Sequence, residues 1–164
     1  MSNGELTEYA LSHHRLHGAE QAVRASAWAE PGIESPWETR LRICYRQQAG
    51  LPAPLINQPI FDLEGRFLGE PDLFDPEAAV ATEFDGEYHR DRFQHRADNL
   101  REEVLEEANV TVQRIDSLDL IRDRMPLIER LQRGHRRGTR RDRRLDSWTL
   151  TRPEWWLRRR QPEW

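Results

Sequence analysis

Asp72, Glu83 and Asp85 are the residues whose types and spacing carry chemistry. They stand in Gly69-Glu70-Pro71-Asp72-Leu73 and, with ten residues between Asp72 and Glu83, in Glu83-Phe84-Asp85-Gly86-Glu87-Tyr88-His89. In an extended strand, residues two apart share a face, so Glu83 and Asp85 project together. They follow the apolar run Ala78-Ala79-Val80-Ala81, and two acids on one face of a buried strand are costly unless something positive neutralises them. A short turn at Asp75-Pro76 folds the preceding strand back antiparallel, which brings Asp72 across from the pair. Three carboxylates converging on one point suit a hard divalent cation such as Mg²⁺ or Mn²⁺. The Phe84 carbonyl, between the two acids, is a further candidate ligand. A cation held there would act as a Lewis acid and lower the pKa of a bound water. The plain alternative is a set of acids at a sheet end, paired with arginines.

Other side chains bear on the same chemistry. His89 lies four residues after Asp85, where a histidine can act as a base, contact phosphate or simply sit solvated in a loop. Arg90, Arg92 and Arg96 cluster near the start of a helix, whose positive end favours a bound phosphate. His13, His14 and His17 have no carboxylate or cysteine at ligand spacing, so they read as a solvated helix. Cys44 stands alone, which excludes an intramolecular disulfide and a cysteine-rich zinc site.

The elements that must position these residues follow from periodicity and turn chemistry. Ser35-Pro36-Trp37-Glu38 is a capping box, and Trp37, Leu41, Cys44, Tyr45 and Gln48 follow at helical spacing. A helix over 36–49 is predicted, ended near Gly50 and Pro52. Glu38 is explained by that cap alone. Ile56–Phe61 and Phe67–Phe74 read as strands around the turn Asp62-Leu63-Glu64-Gly65, and Ala78–Asp85 as a third. Phe93, Ala97, Leu100, Val104 and Ala108 form one apolar stripe of a long helix over about 92–108, capped by Asn109. Phe93, Leu100 and Val104 are therefore expected to be buried, and Arg96 and Arg101 exposed. Val110–Ile115 is a further strand. Leu118, Ile121, Met125, Ile128 and Leu131 close with helix, restarted at Pro126. The class is α/β: a mixed sheet of about four strands in the order helix, three strands, helix, strand, helix.

Composition bounds the rest. All 25 basic residues among the 164 are arginine, so no mechanism can use a lysine. Residues 1–132 carry 14 arginines against 25 acids, whereas residues 133–160 carry 11 against 3. An acidic body with a basic tail points to a polyanion such as DNA, to a metal, or to both. The chain divides into an N-terminal helical or linker segment (1–30), a compact domain (31–133) and an Arg/Trp-rich tail (134–164) expected to be disordered. Within that tail Arg136, Arg137, Arg140, Arg141, Arg143 and Arg144 are candidate phosphate contacts. No apolar run approaches the roughly 20 residues of a membrane span and no secretory leader opens the chain, so a cytoplasmic protein is expected.

Pro71-Asp72, the spacer, Glu83-x-Asp85 and the element order together resemble the PD-(D/E)XK nuclease superfamily. The closer likeness is to its very-short-patch-repair-like branch of small bacterial endonuclease domains. Ser35-Pro36-Trp37-Glu38-Thr39-Arg40-Leu41-Arg42 is similar to that branch's first helix, and Glu83-Phe84-Asp85-Gly86 with His89 to its central motif. Arg96, Asp98, Arg101 and Leu105 are similar to its following helix. The resemblance spans residues 31–133 and implies a restriction-endonuclease-like core. It implies a Mg²⁺-dependent endodeoxyribonuclease with Asp72 and Glu83 as metal ligands, Asp85 beside them, and a glutamate such as Glu38 leaning into the site from the first helix. Asp85 stands where the superfamily pattern has lysine, and the zinc site of mismatch-repair relatives has no cysteines here. A non-cleaving, nuclease-like DNA-binding module or an antitoxin-associated regulatory module is the alternative that the same resemblance implies.

Overall fold

A computed structural model of the protein describes residues 3–13, 18–26, 35–86 and 92–159. Helices α1 (Asn3–Ser12) and α2 (Ala19–Ser26) pack on each other, and Thr7 and Ser26 share a hydroxyl hydrogen bond of 2.7 Å. His13 stacks on Tyr9, and His14 and His17 lie outside the described residues.

Helix α3 (Pro36–Ile43) starts as its sequence dictates. The Ser35 side chain accepts from the Glu38 amide at 3.2 Å, and proline occupies the first turn, where no amide partner is needed. The helix continues as a π-helical turn over Cys44–Gln48, and Gly50 takes φ 64 just past it.

Strands β1 (Leu55–Ile56), β2 (Ile60–Asp62), β3 (Phe67–Gly69), β4 (Leu73–Asp75) and β5 (Val80–Asp85) follow. The two strands expected over 56–61 and 67–74 are each broken in two. Asn57 adopts φ 44 ahead of Pro59, and Pro71 has no amide to donate to a ladder. Each break lets the chain pass from one sheet into another. The first sheet has the order β1-β4-β5-β6, where β6 (Thr111–Asp116) follows the crossover helix α4 (Arg92–Glu107). Its first two pairings are antiparallel and β5–β6 is parallel, so the sheet is mixed, as the order of elements requires. The second sheet has the order β3-β2-β7, with β7 (Trp148–Thr149) contributed from far along the chain. The β2–β3 turn is built on Asp62, whose Oδ1 accepts from the amides of Glu64 and Arg66 at 2.8 Å each.

The first sheet is covered on both faces. Leu73 and Ile115 pack with Leu41, Cys44 and Tyr45, and with Leu120, Leu127 and Leu131 from α5 (Ser117–Ile121) and α6 (Met125–Gly138). The other face joins Phe74 and Ala81 to Leu105 of α4, to Ala108 just past its end, and to Ile60 and Leu68 of the second sheet. The stripe expected on α4 is corrected here. Leu100 is 61% exposed and Val104 only half-buried, while Leu105 is fully buried. The cause lies opposite: Gly69 offers no side chain, and a Cβ built there would stand 3.3 Å from Leu105 Cδ1, so Leu105 fills that space. Arg101 is exposed as expected, and the side chains of Phe93 and Arg96 lie outside the described residues. Asn109 caps α4 at φ 67, with the Val110 amide reaching back to the Leu105 carbonyl at 2.9 Å.

Beyond residue 133 the expectation of disorder is also corrected. Helix α6 runs on to Gly138, a 3₁₀ turn follows at Arg143–Leu145, and after β7 comes α7 (Glu154–Arg159). Gly134 and Gly138 continue the helical stripe of Leu127 and Leu131 at steps of three and four, and their lack of side chains lets α6 lie against the sheet. A Cβ at Gly138 would stand 2.1 Å from the Ala78 carbonyl oxygen. Among the described residues of the tail, Trp148 meets Phe74 edge-on at 5.1 Å, and Trp156 stacks on Phe67 at 5.1 Å. Among the described residues no helix is long and apolar enough to cross a membrane.

Candidate functional site

The β4–β5 register pairs Leu73 with Thr82, which sets Asp72 one step further along, level with Glu83. Strand alternation then places Asp72, Glu83 and Asp85 on one face, the face that α4 covers and that Phe74 and Ala81 share. All three are half-buried. The Phe84 amide donates to Asp72 Oδ2 at 2.6 Å, so the Asp72 carboxylate reaches across where the strand pairing ends. From the other side, β6 sets Arg114 level with Glu83 and Asp116 level with Asp85. Arg114 reaches Glu102 of α4, Nη2 to Oε2 2.9 Å, and Asp116 caps α5 by accepting from the Asp119 amide at 2.9 Å.

Among the described residues no three His, Cys, Asp or Glu side chains gather as a ligand set. The three carboxylates expected to converge do not meet that description, and one Asp72 oxygen is engaged by the Phe84 amide. The register does align a hard oxygen set: Asp72 opposite Glu83, with the Phe84 carbonyl next in the chain. Mg²⁺ is commonly held by one or two carboxylates together with substrate phosphate and water, so this donor set fits it in chemistry.

Glu38 is the third residue of α3 and half-buried. Helix α3 lies on the opposite face of the sheet, and its start meets the end of β5 where Trp37 stacks on Phe84 at 5.4 Å. His89 and Arg90 lie outside the described residues, and Arg92 and Arg96 are described only as positions in α4.

Two further groupings stand apart from the acids; nothing in the sequence signalled the first, whereas arginines of the second were already candidate phosphate contacts. The first is buried. Asp75 Oδ2 accepts from Tyr45 Oη at 2.9 Å and from His135 Nδ1 at 2.7 Å, while Oδ1 accepts from the amides of Glu77 and Ala78. An ionised carboxylate only accepts, which assigns the Nδ1 proton to His135. Burial, then the charge of Asp75 and the hydrogen bond to it, push the Tyr45 hydroxyl well above its usual pKa. Burial likewise raises the Cys44 thiol, partly offset by the charge of Arg124, so no reactive thiolate stands there.

The second is basic. Arg133, Arg136, Arg137, Arg140 and Arg141 border a cleft of about 590 Å³ beside Asn109 and Thr111. The tail arginines divide by partner. Arg141 makes a two-toothed pair with Asp146 (2.9 and 2.7 Å) and also donates to the Glu77 carbonyl. Arg143 donates to the same carbonyl, and Arg144 is held by Asp142. Burial pushes the Asp146 carboxyl up, but hydrogen bonds from Arg141 and Asn109, with the charges of Arg141 and Arg143, outweigh it and hold its pKa below the usual range. The signal for this grouping was the helical period itself, since 133 and 137, like 136 and 140, stand four apart.

Comparison of the chain with protein-family models, with curated proteins and with solved structures gives no match.

Proposed function

We propose that the chain is a divalent-metal-dependent DNA endonuclease, a hydrolase of phosphodiester bonds with a restriction-endonuclease-like core. The observation that carries this reading is Asp72 level with Glu83, with Asp85 on the same face, at the end of a strand joined by crossover helix α4 to a parallel neighbour. The element order supports it as well. In this reading Asp72, Glu83 and the Phe84 carbonyl hold Mg²⁺ or Mn²⁺. The ion, when bound, supplies polarisation of a phosphate oxygen and acidification of a water. Asp85 accepts a hydrogen bond from the attacking water and orients it, His89 takes a proton or contacts the phosphate, and Glu38 supports the set from the start of α3. Arg90, Arg92 and Arg96 contact the DNA backbone near the positive end of α4. One buried cysteine suits a reducing cytoplasm.

The second reading is a non-cleaving DNA-binding or antitoxin-associated regulatory module. The Asp72 bond to the Phe84 amide favours it, since it gives that acid structural work. A plasmid-nicking assay with millimolar Mg²⁺ or Mn²⁺ separates the two. The endonuclease reading expects nicking by the wild type and none by Asp72→Ala or Glu83→Gln. It also expects Mn²⁺ to raise the wild-type melting temperature by mass action, and Asp72→Asn to lose that response. An unresponsive wild type whose melting falls on Asp72→Asn makes the acids structural.

A further inference from the structure

We infer that the arginine cleft on α6 is a binding site for a nucleic-acid phosphate backbone, formed by Arg133, Arg136, Arg137 and Arg140. This deepens the reading above, resting on DNA as the partner but not on cleavage. Three observations carry it.

The first is charge left uncompensated. Among the described residues, none of these four guanidinium groups enters an ion pair or side-chain hydrogen bond, whereas Arg141 and Arg144 are each bound to an aspartate. Arg133 and Arg137 stand four apart on α6, and Arg140 follows Arg136 by four just past the end of that helix, a spacing at which like charges repel. The negative end of the α6 dipole eases that repulsion only over the last turn.

The second is geometry. Gly134 and Gly138 let the helix sit against the sheet. A Cβ at Gly134 would stand 2.1 Å from Gln113 Nε2, and at Gly138 it would meet the Ala78 carbonyl oxygen. The flanking arginines are thereby held at the exposed margin of β6, which is the edge strand of its sheet. A smaller cleft of about 130 Å³ shares Thr111, Arg133 and Arg137 with the first, so the basic groove runs on along the strand.

The third is the lining. It holds donors and no apolar side chain, which suits a ligand made of repeated acceptors and offers nothing to a lipid tail or a hydrophobic peptide. Arginine forks pair with phosphate oxygens two at a time, which lysine cannot do. Thr111 and Gln113 share the face of Ile115, whereas Asp72, Glu83 and Asp85 share that of Ala81. The groove therefore lies on the opposite side of the β5–β6 pair from the acids.

The test is fluorescence anisotropy of a labelled 20-base-pair duplex with the full chain in EDTA, over salt from 50 to 200 mM. The paired variants Arg133→Gln/Arg137→Gln and Arg136→Gln/Arg140→Gln should each lower the slope of log affinity against log salt by about 1.8. Arg144→Gln should leave the slope unchanged. Both paired variants should melt at or slightly above the wild-type temperature, because repulsion is relieved. An unchanged slope in both pairs overturns the assignment, as does an equal loss in Arg144→Gln. Preference for phosphatidylserine vesicles over duplex, abolished by the same substitutions, overturns it in favour of a membrane surface. A chain that never nicks DNA yet keeps the arginine-dependent slope sinks the cleavage reading and leaves the groove assigned.

Discussion

Asp75 shows how one side chain can serve two levels of structure. It forms the turn between β4 and β5 through its amide contacts, and its other oxygen ties that turn to Tyr45 and to His135 of α6. The carboxylate is 4% exposed, so each donor it loses is replaced by nothing from solvent. Tyr45→Phe removes one hydrogen bond to a charged group and is expected to cost about 1.5–3 kcal/mol by urea denaturation. Asp146 makes a parallel case in the tail. Its pKa is held below the unfolded value, so the stability it contributes is present above about pH 4 and is lost as pH falls through the folded value. Acid melting curves should therefore show a loss in that range that Asp146→Asn does not share. A wild type and Asp146→Asn with parallel pH profiles would show that the Arg141 pair contributes nothing.

At the scale of elements, α6 depends on two glycines of different tolerance. The Cβ of Gly138→Ala would meet backbone at Ala78, which cannot swing away, and overpacking of this kind costs about 1–3 kcal/mol. Gly134→Ala meets the far end of Gln113, a flexible side chain, so its cost should be clearly smaller when the two variants are melted side by side. The capped start of α3, the left-handed Asn109, the Asp62 turn and the β5–α4–β6 crossover were all legible, because each rests on local chemistry written in adjacent residues. The breaks at Asn57 and Pro71 were half legible: the prolines were visible, but not that the chain changes sheets there. The face of α4 was misread because Leu100 and Leu105 each begin a plausible stripe, and Gly69, a residue on another strand, decides between them. The alignment of Asp72 with Glu83 followed from the short turn, whereas the direction of the Asp72 carboxylate toward the Phe84 amide depends on where pairing ends, which spacing alone does not encode.

Over the whole molecule, the basic region is fastened to the acidic body by specific pairs. Asn109 Nδ2 donates to Asp146 Oδ1 at 2.6 Å, and Arg141 and Arg143 both donate to the Glu77 carbonyl. The charge asymmetry of the sequence thus becomes intramolecular structure for part of the tail and an open basic groove for the rest. Trp148 packs on Phe74, between the two sheets, so Trp148→Ala is expected to cost about 2 kcal/mol, read as a lower midpoint in thermal or urea unfolding.

The pairing of β7 with β2 also sets an order of events. Trp155 Nε1 donates to the Gly65 carbonyl across 90 residues of chain, and β7 flanks β2 over a similar separation. During synthesis the β2–β3 hairpin emerges early, and one side of β2 has no partner until residue 149 has left the ribosome. Contacts this distant form slowly, since their loop must close before they contribute. For that interval the nascent chain carries an open β edge beside Phe61 and Phe67, the kind of surface that recruits chaperones or a second nascent copy. A chain ended after residue 145 keeps that edge open for good. It should sediment as aggregate when the 164-residue chain remains in the supernatant.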